Sequence, residues 1–128
     1  MLSIILLSPT NQVLLLHRVQ TSSAFPSAHV FPGGNLSSFH ETGLPKPGSP
    51  ERHQDGLSYR LGAIRETFEE SGILLARAGK SKKAPLLDVP IDAREQARKD
   101  IYENKIRFTD WLASLGGVPD VGRCYYEV

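Results

Sequence analysis

Leu57, Leu61, Ile64 and Phe68 recur at intervals of four, three and four residues, the spacing that brings side chains back to one side of an α-helix. A segment with this rhythm must bury one stripe and wet the other. It predicts a helix over about residues 58–71, with Asp55 or Ser58 available to cap its start and Gly72 able to end it in a left-handed conformation. The wet stripe carries Glu66, Glu69 and Glu70. At about 100° per residue, Glu70 lies nearly above Glu66 with Glu69 beside them. Like charges so placed repel by a few tenths of a kcal/mol per pair, and a divalent cation would turn that repulsion into binding. Hard carboxylate oxygens suit magnesium, which keeps several waters and takes one or two carboxylates besides substrate phosphate oxygens. Arg65 can brace the glutamates from the adjacent turn. Taken alone, such a stripe is ordinarily the solvated face of an amphipathic helix.

Upstream, Ser3 to Leu7 and Val13 to His17 are two β-rich runs separated by the turn formers Ser8 to Gln12, which predicts a hairpin. Their near-continuous apolar character predicts strands covered on both faces, as in a sheet between helical layers. His29 to Phe31 forms a further short strand, stopped by Pro32, Gly33 and Gly34. Between Asn35 and Gly56 the composition shifts to Ser, Gly, Pro, His and charge, with Pro45, Pro47 and Pro50 close together. This predicts a mobile surface insertion at about 35–56. After the glutamate helix, Ile73 to Ala76 is a strand candidate and Ala93 to Lys105 a second amphipathic helix. Thr109 is placed to cap a short third helix ended by Gly116 and Gly117. Gly122 to Val128 reads as a last strand, and Lys80 to Lys83 as a solvated basic loop.

Phe31-Pro32-Gly33-Gly34 supplies two glycines at which backbone can approach a ligand or a helix with no Cβ in the way. Together with Arg65-Glu66-Thr67-Phe68-Glu69-Glu70-Ser71-Gly72-Ile73, these residues resemble the Nudix box, Gly-x5-Glu-x7-Arg-Glu-U-x-Glu-Glu-x-Gly-U with U aliphatic. Thr67 is a polar substitute at the first U. Arg65 stands 31 positions after Gly34, 17 more than the pattern has, and counting back from Arg65 puts Leu57 where the pattern has a glutamate. Asp55, ahead of Glu51, is the candidate to replace that ligand. The phrases Ala28 to Gly34 and Ala63 to Leu75, split by a long insertion, are most similar to the eukaryotic coenzyme A diphosphatase branch.

This resemblance implies a Nudix-type α/β/α sandwich with a mixed sheet, here incomplete at its C-terminal end, as one domain over residues 1–128. It implies magnesium or manganese held by Glu66, Glu69 and Glu70, with Asp55 the candidate further ligand in place of the missing glutamate. It also implies a catalytic set of Glu66, Glu69, Glu70 and Arg65, with Gly33 and Gly34 beside the bound group. The reaction implied is hydrolysis of a diphosphate linkage in a nucleoside diphosphate derivative, coenzyme A or acyl-coenzyme A among the candidates. The alternative reading is an inactive, shortened Nudix domain that acts at most as a binding module. An intracellular, soluble protein is expected, peroxisomal or mitochondrial by family analogy.

The remaining features exclude more than they assign. Fifteen Lys and Arg against fourteen Asp and Glu leave a formal charge of +1, so no global field draws the chain to nucleic acid or an anionic membrane. The partner expected is a small nucleotide-type molecule; oligomeric state is left open. Cys124 is the only cysteine, which excludes an internal disulfide scaffold. His17, His29, His40 and His53 match no metal-ligand spacing, and Trp111, Tyr125 and Tyr126 read as packing residues.

Overall fold

The computed structural model describes residues 1–123, and the side chains of His53 and Arg123 lie outside that description. Cys124, Tyr125 and Tyr126 fall outside the described residues, as does all but the start of the expected last strand, whose first two residues belong to a 3-10 turn, Val121–Arg123.

The periodic segment is helix α1, Leu57–Ser71. Gly72 closes it in the left-handed region (φ 77°), its N–H donating to the carbonyl of Phe68, an arrangement that only glycine adopts without steric cost. At the other end the cap is Gly56, with no side-chain hydrogen bond to the first turn. Neither Asp55 nor Ser58 caps. The Asp55 carboxylate is held instead by the guanidinium of Arg60, one turn into the helix. Leu57, the first residue of the apolar series, is exposed, while Ile64 and Phe68 are fully enclosed. They anchor a core completed by Ala76, Ala97, Ile101, Phe108 and Leu112.

Helix α2, Ile91–Tyr102, and helix α3, Phe108–Ser114, supply most of that core. Trp111 stacks on Phe68 with ring centroids 5.0 Å apart, the packing role expected of it. Thr109 does not cap α3; Arg107 stands at the cap position and no side chain bonds the first turn. Between the helices, strand β5 (Ala76–Arg77) pairs antiparallel with β6 (Val118–Pro119).

The N-terminal strands are short ladders: β1 (Leu2–Ser3) pairs with β4 (Gly33–Gly34), and β2 (Leu16–His17) with β3 (His29–Val30). Hydrogen bonds Ile4 N to Pro32 O, Leu14 N to Leu6 O, Ser8 N to Gln12 O and Arg18 N to Ala28 O extend them. Segments 2–8, 12–18 and 28–34 therefore each pair with both of the others. Every strand pair among the described residues is antiparallel, where a mixed sheet was expected. Leu2 and Pro32 are buried toward α1, with the Leu2 side chain against Gly62 of that helix. The alternate residues Ile5, Leu7, Val13, Leu15 and Phe31 are exposed. One face is covered, not two, so the helices and small antiparallel sheets form a mixed α/β fold with one open sheet face.

The expected surface insertion is partly built into the core. His40 is buried; its Nε2 donates to the carbonyl of Ile101 at 3.0 Å and its Nδ1 accepts from the Phe108 N–H at 3.1 Å. Because Nδ1 accepts, the ring proton sits on Nε2. A buried imidazole used at both nitrogens ties the end of α2 and the start of α3 to this segment, leaving neither backbone group orphaned.

Candidate functional site

The site is organised by one arginine. Arg65 is 4% exposed because Ile64 and Phe68, its neighbours along α1, draw that side of the helix into the core. A guanidinium so enclosed needs acceptors for its donors. Nε donates to Glu41 Oε1 at 2.7 Å, Nη1 to Glu66 Oε1 at 3.0 Å and Glu69 Oε1 at 2.9 Å, and Nη2 to the carbonyl of Asn35 at 3.0 Å. Burial by itself disfavours the cation, but hydrogen bonds to Glu41 and Glu69 and the charges of Glu41 and Glu66 outweigh it, and the net shift of Arg65 is upward. It is a permanent positive hub.

The two glycines work as close approaches of β4 to α1. The Gly33 N–H donates to Glu70 Oε2 at 2.9 Å. A Cβ on Gly34 would sit 2.6 Å from the Glu66 carboxyl carbon, and one on Gly33 would meet the Leu2 carbonyl oxygen at 2.2 Å. Only residues without a side chain let the strand pass between β1 and the carboxylate stripe. On the far side, Arg98 of α2 donates through Nε and Nη2 to the Glu69 carbonyl, fixing the last turn of α1.

Glu66, Glu69 and Glu70 thus share one surface of α1, and the contacts described engage one oxygen of each. Desolvation raises Glu66 above the ordinary carboxylate range; Arg65 opposes that and the charge of Glu69 reinforces it. Desolvation likewise raises Glu70, against the Gly33 N–H and the charge of Arg18. Partly buried carboxylates pushed toward the neutral form are poised to gain from a cation. Among the described residues no three His, Cys, Asp or Glu side chains converge as a preformed cation cage. A magnesium ion that retains most of its waters needs no such cage, and the oxygen donor set fits it.

Asp55 does not join these residues. It precedes α1 and is spent on Arg60, while Glu66 lies about 14 Å along the helix axis from its first residue, Leu57, at about 1.5 Å per residue. The acid that reaches the arginine hub is Glu41, 3% exposed, which also accepts from the Ser37 N–H at 2.6 Å. Sequence reading passed over it because the box was counted backward from Arg65. Counted forward from Gly34, the pattern's glutamate falls on His40, one residue before Glu41, and that offset was the available signal. A cavity of about 410 Å³ opens beside Glu66 and Glu69, bounded by Asn35, Ser37, Ser38, Tyr102 and Asn104.

Known proteins resemble the chain over most of its length. The chain is 32% identical, over 86% of its length, to the chicken protein named acyl-coenzyme A diphosphatase NUDT19. It is 29% identical, again over 86% of its length, to the Xenopus laevis protein of the same name. It spans about 40% of the length of these curated relatives. No family model matches the chain, and no solved structure matches it. With the split glycine and glutamate elements brought together around Arg65, and with relatives of that name over most of its length, the chain is similar to the coenzyme A diphosphatase branch of the Nudix family.

Proposed function

We propose that this chain carries the magnesium- or manganese-dependent centre of a hydrolase that cleaves a diphosphate linkage in a nucleoside diphosphate derivative, with coenzyme A or acyl-coenzyme A as the substrate class. The observation that carries the reading is the Arg65 hub, which gathers Glu41, Glu66 and Glu69 while β4 is pressed against Glu66 and Glu70. The names of the relatives supply the substrate class.

Glu66, Glu69 and Glu70 would hold the ion, which supplies charge neutralisation on the phosphates and lowers the pKa of a water. Arg65 is a positioning residue: it turns two carboxylates the same way and is itself oriented from below by Glu41. Gly33 orients Glu70 through its N–H. The Glu70 carboxylate, with its raised proton affinity and open position, has the property required of a general base.

The test is a magnesium-dependent hydrolysis screen over coenzyme A, dinucleoside polyphosphates, nucleotide sugars and NADH. Glu70→Gln should lower turnover by about 100-fold or more with an unchanged far-UV circular dichroism spectrum, because it removes charge and keeps shape. Full activity in this variant would sink the assignment. A second reading, a metal-free binding module, is favoured by the absence of a converged acidic triad among the described residues. Calorimetry separates the two: manganese binding that disappears in Glu69→Gln and Glu70→Gln supports the enzyme, and no binding at all supports the module.

A further inference from the structure

Cleavage of a diphosphate uses the phosphates and an ion, and it leaves the cavity of about 410 Å³ beside Glu66 and Glu69 without an assigned occupant. The walls of that cavity come from distant parts of the chain, and both are pinned. On one side the Asn35 carbonyl accepts from Arg65 Nη2. On the other, the Ile101 carbonyl, one residue before Tyr102, accepts from His40 Nε2. It also accepts from the N–H of Asn104 at 3.0 Å, which stands in a left-handed conformation (φ 55°). The rim is therefore built before a ligand arrives, which lowers the cost of binding one.

Apart from the carboxylates, what this cavity offers a ligand is polar and neutral. Among the described residues the side-chain amides of Asn35 and Asn104 and the Ser38 hydroxyl make no hydrogen bond within the chain. Tyr102 stands 76% exposed at the mouth. His40 spends both ring nitrogens on backbone groups, and Arg65, the cation on the wall, spends its donors on Glu41, Glu66, Glu69 and the Asn35 carbonyl. An anionic group placed here would lose water without gaining a partner. On the hydrolase reading, we propose that the cavity takes the pantetheine arm of coenzyme A and not its 3′-phosphorylated adenosine. That arm is uncharged and carries amides and a hydroxyl. The Asn35 and Asn104 amides and the Ser38 hydroxyl each donate and accept, and Leu36 and Tyr102 cover its methylene and methyl groups, the usual division of labour in a small-molecule site. Glu70 does not border the cavity. The charge that reaches it is that of Arg18, whose guanidinium is hydrogen-bonded to the Ser22 hydroxyl, so the charged arm is left on the side where a cation stands.

Calorimetry of the full chain with manganese, with 4′-phosphopantetheine and adenosine 3′,5′-bisphosphate as the probes, tests this. Tyr102→Ala should weaken phosphopantetheine about 10-fold and Asn104→Gly, which keeps the left-handed backbone, about 5-fold, while the bisphosphate stays within about 2-fold. Tyr102→Phe, which keeps the ring, should bind like the parent. A bisphosphate weakened in place of phosphopantetheine overturns the assignment and puts the adenosine arm in the cavity. Neither probe responding to the variants overturns it as well. Hydrolysis is read separately. A parent chain that cleaves coenzyme A while phosphopantetheine binding ignores Tyr102 loses the subsite and keeps the hydrolase reading, and one that binds neither probe and cleaves no diphosphate loses both.

Discussion

Helix α1 carries two arginine–carboxylate clamps, and they differ in nearly every physical respect. Arg60 grips Asp55, five residues away, with both side chains about a quarter to a third exposed. Arg65 grips Glu41, 24 residues away, with both enclosed. In the first clamp solvent competes for both charges, and the pair adds little beyond local order. In the second, the low-dielectric surroundings make each partner a requirement of the other, because either one left alone is an uncompensated buried charge. Proximity in sequence thus selects the pair that matters less. Burial selects the pair that holds the site.

The largest test of this contrast removes each acid in turn. Glu41→Ala should cost about 3 kcal/mol, since Arg65 keeps Glu66 and Glu69 but loses its deepest partner, whereas Asp55→Ala should cost under about 1 kcal/mol. Urea titration of both variants checks it, and equal losses would erase the distinction. Metal affinity should divide the same way. Glu41→Gln is expected to weaken manganese binding by about 10-fold by releasing Arg65 and, with it, Glu66 and Glu69, an outer-shell effect, and Asp55→Asn should leave calorimetric affinity within about 2-fold. A strong loss in Asp55→Asn would return that residue to the ligand set.

Gly34→Ala is a smaller perturbation of the buried clamp. The atoms nearest the added Cβ belong to the movable end of Glu66, so the fold should lose about 1 kcal/mol while manganese affinity falls several-fold. An unchanged affinity would mean that Glu66 has no fixed task.

The smallest effect is one of pH. Glu70 is raised above its ordinary value of 4.5 by desolvation. The stability associated with its neutral form is present below that value and lost as pH rises through the raised one. In chelator-treated protein, the Tm of Glu70→Gln minus that of the parent should be near zero at pH 4 and positive by a degree or two at pH 7. Magnesium at pH 7 should narrow the gap. A difference flat with pH would show that desolvation does not press on this carboxylate.

Helix α1 was legible almost to the residue, because its apolar period, its glutamate stripe and its Gly72 terminus are all written in successive spacings of four residues or fewer. Its capping was not: Asp55 is a good cap by type, but a nearby arginine outcompeted the backbone for it. The strands were located but their covering was misjudged, since an apolar run shows what a strand can bury and not whether anything lies on both sides. His40 and Glu41 sit in a stretch that composition marks as surface; only the forward count from Gly34 points near Glu41, and no local pattern announces that the neighbouring histidine will bridge two helices.

What the sequence determined by itself is whatever depends on helical geometry over a turn or two: three carboxylates on one stripe, an arginine beside them, a glycine stop. What only the tertiary structure decided is which partners arrive from elsewhere, namely Glu41 beneath Arg65 and the Gly33–Gly34 strand against Glu66 and Glu70. The reason is that a buried charge accepts whatever opposite group the packed chain delivers to it, and that delivery follows from how β1, β4, α2 and α3 close around α1 rather than from any spacing along the chain.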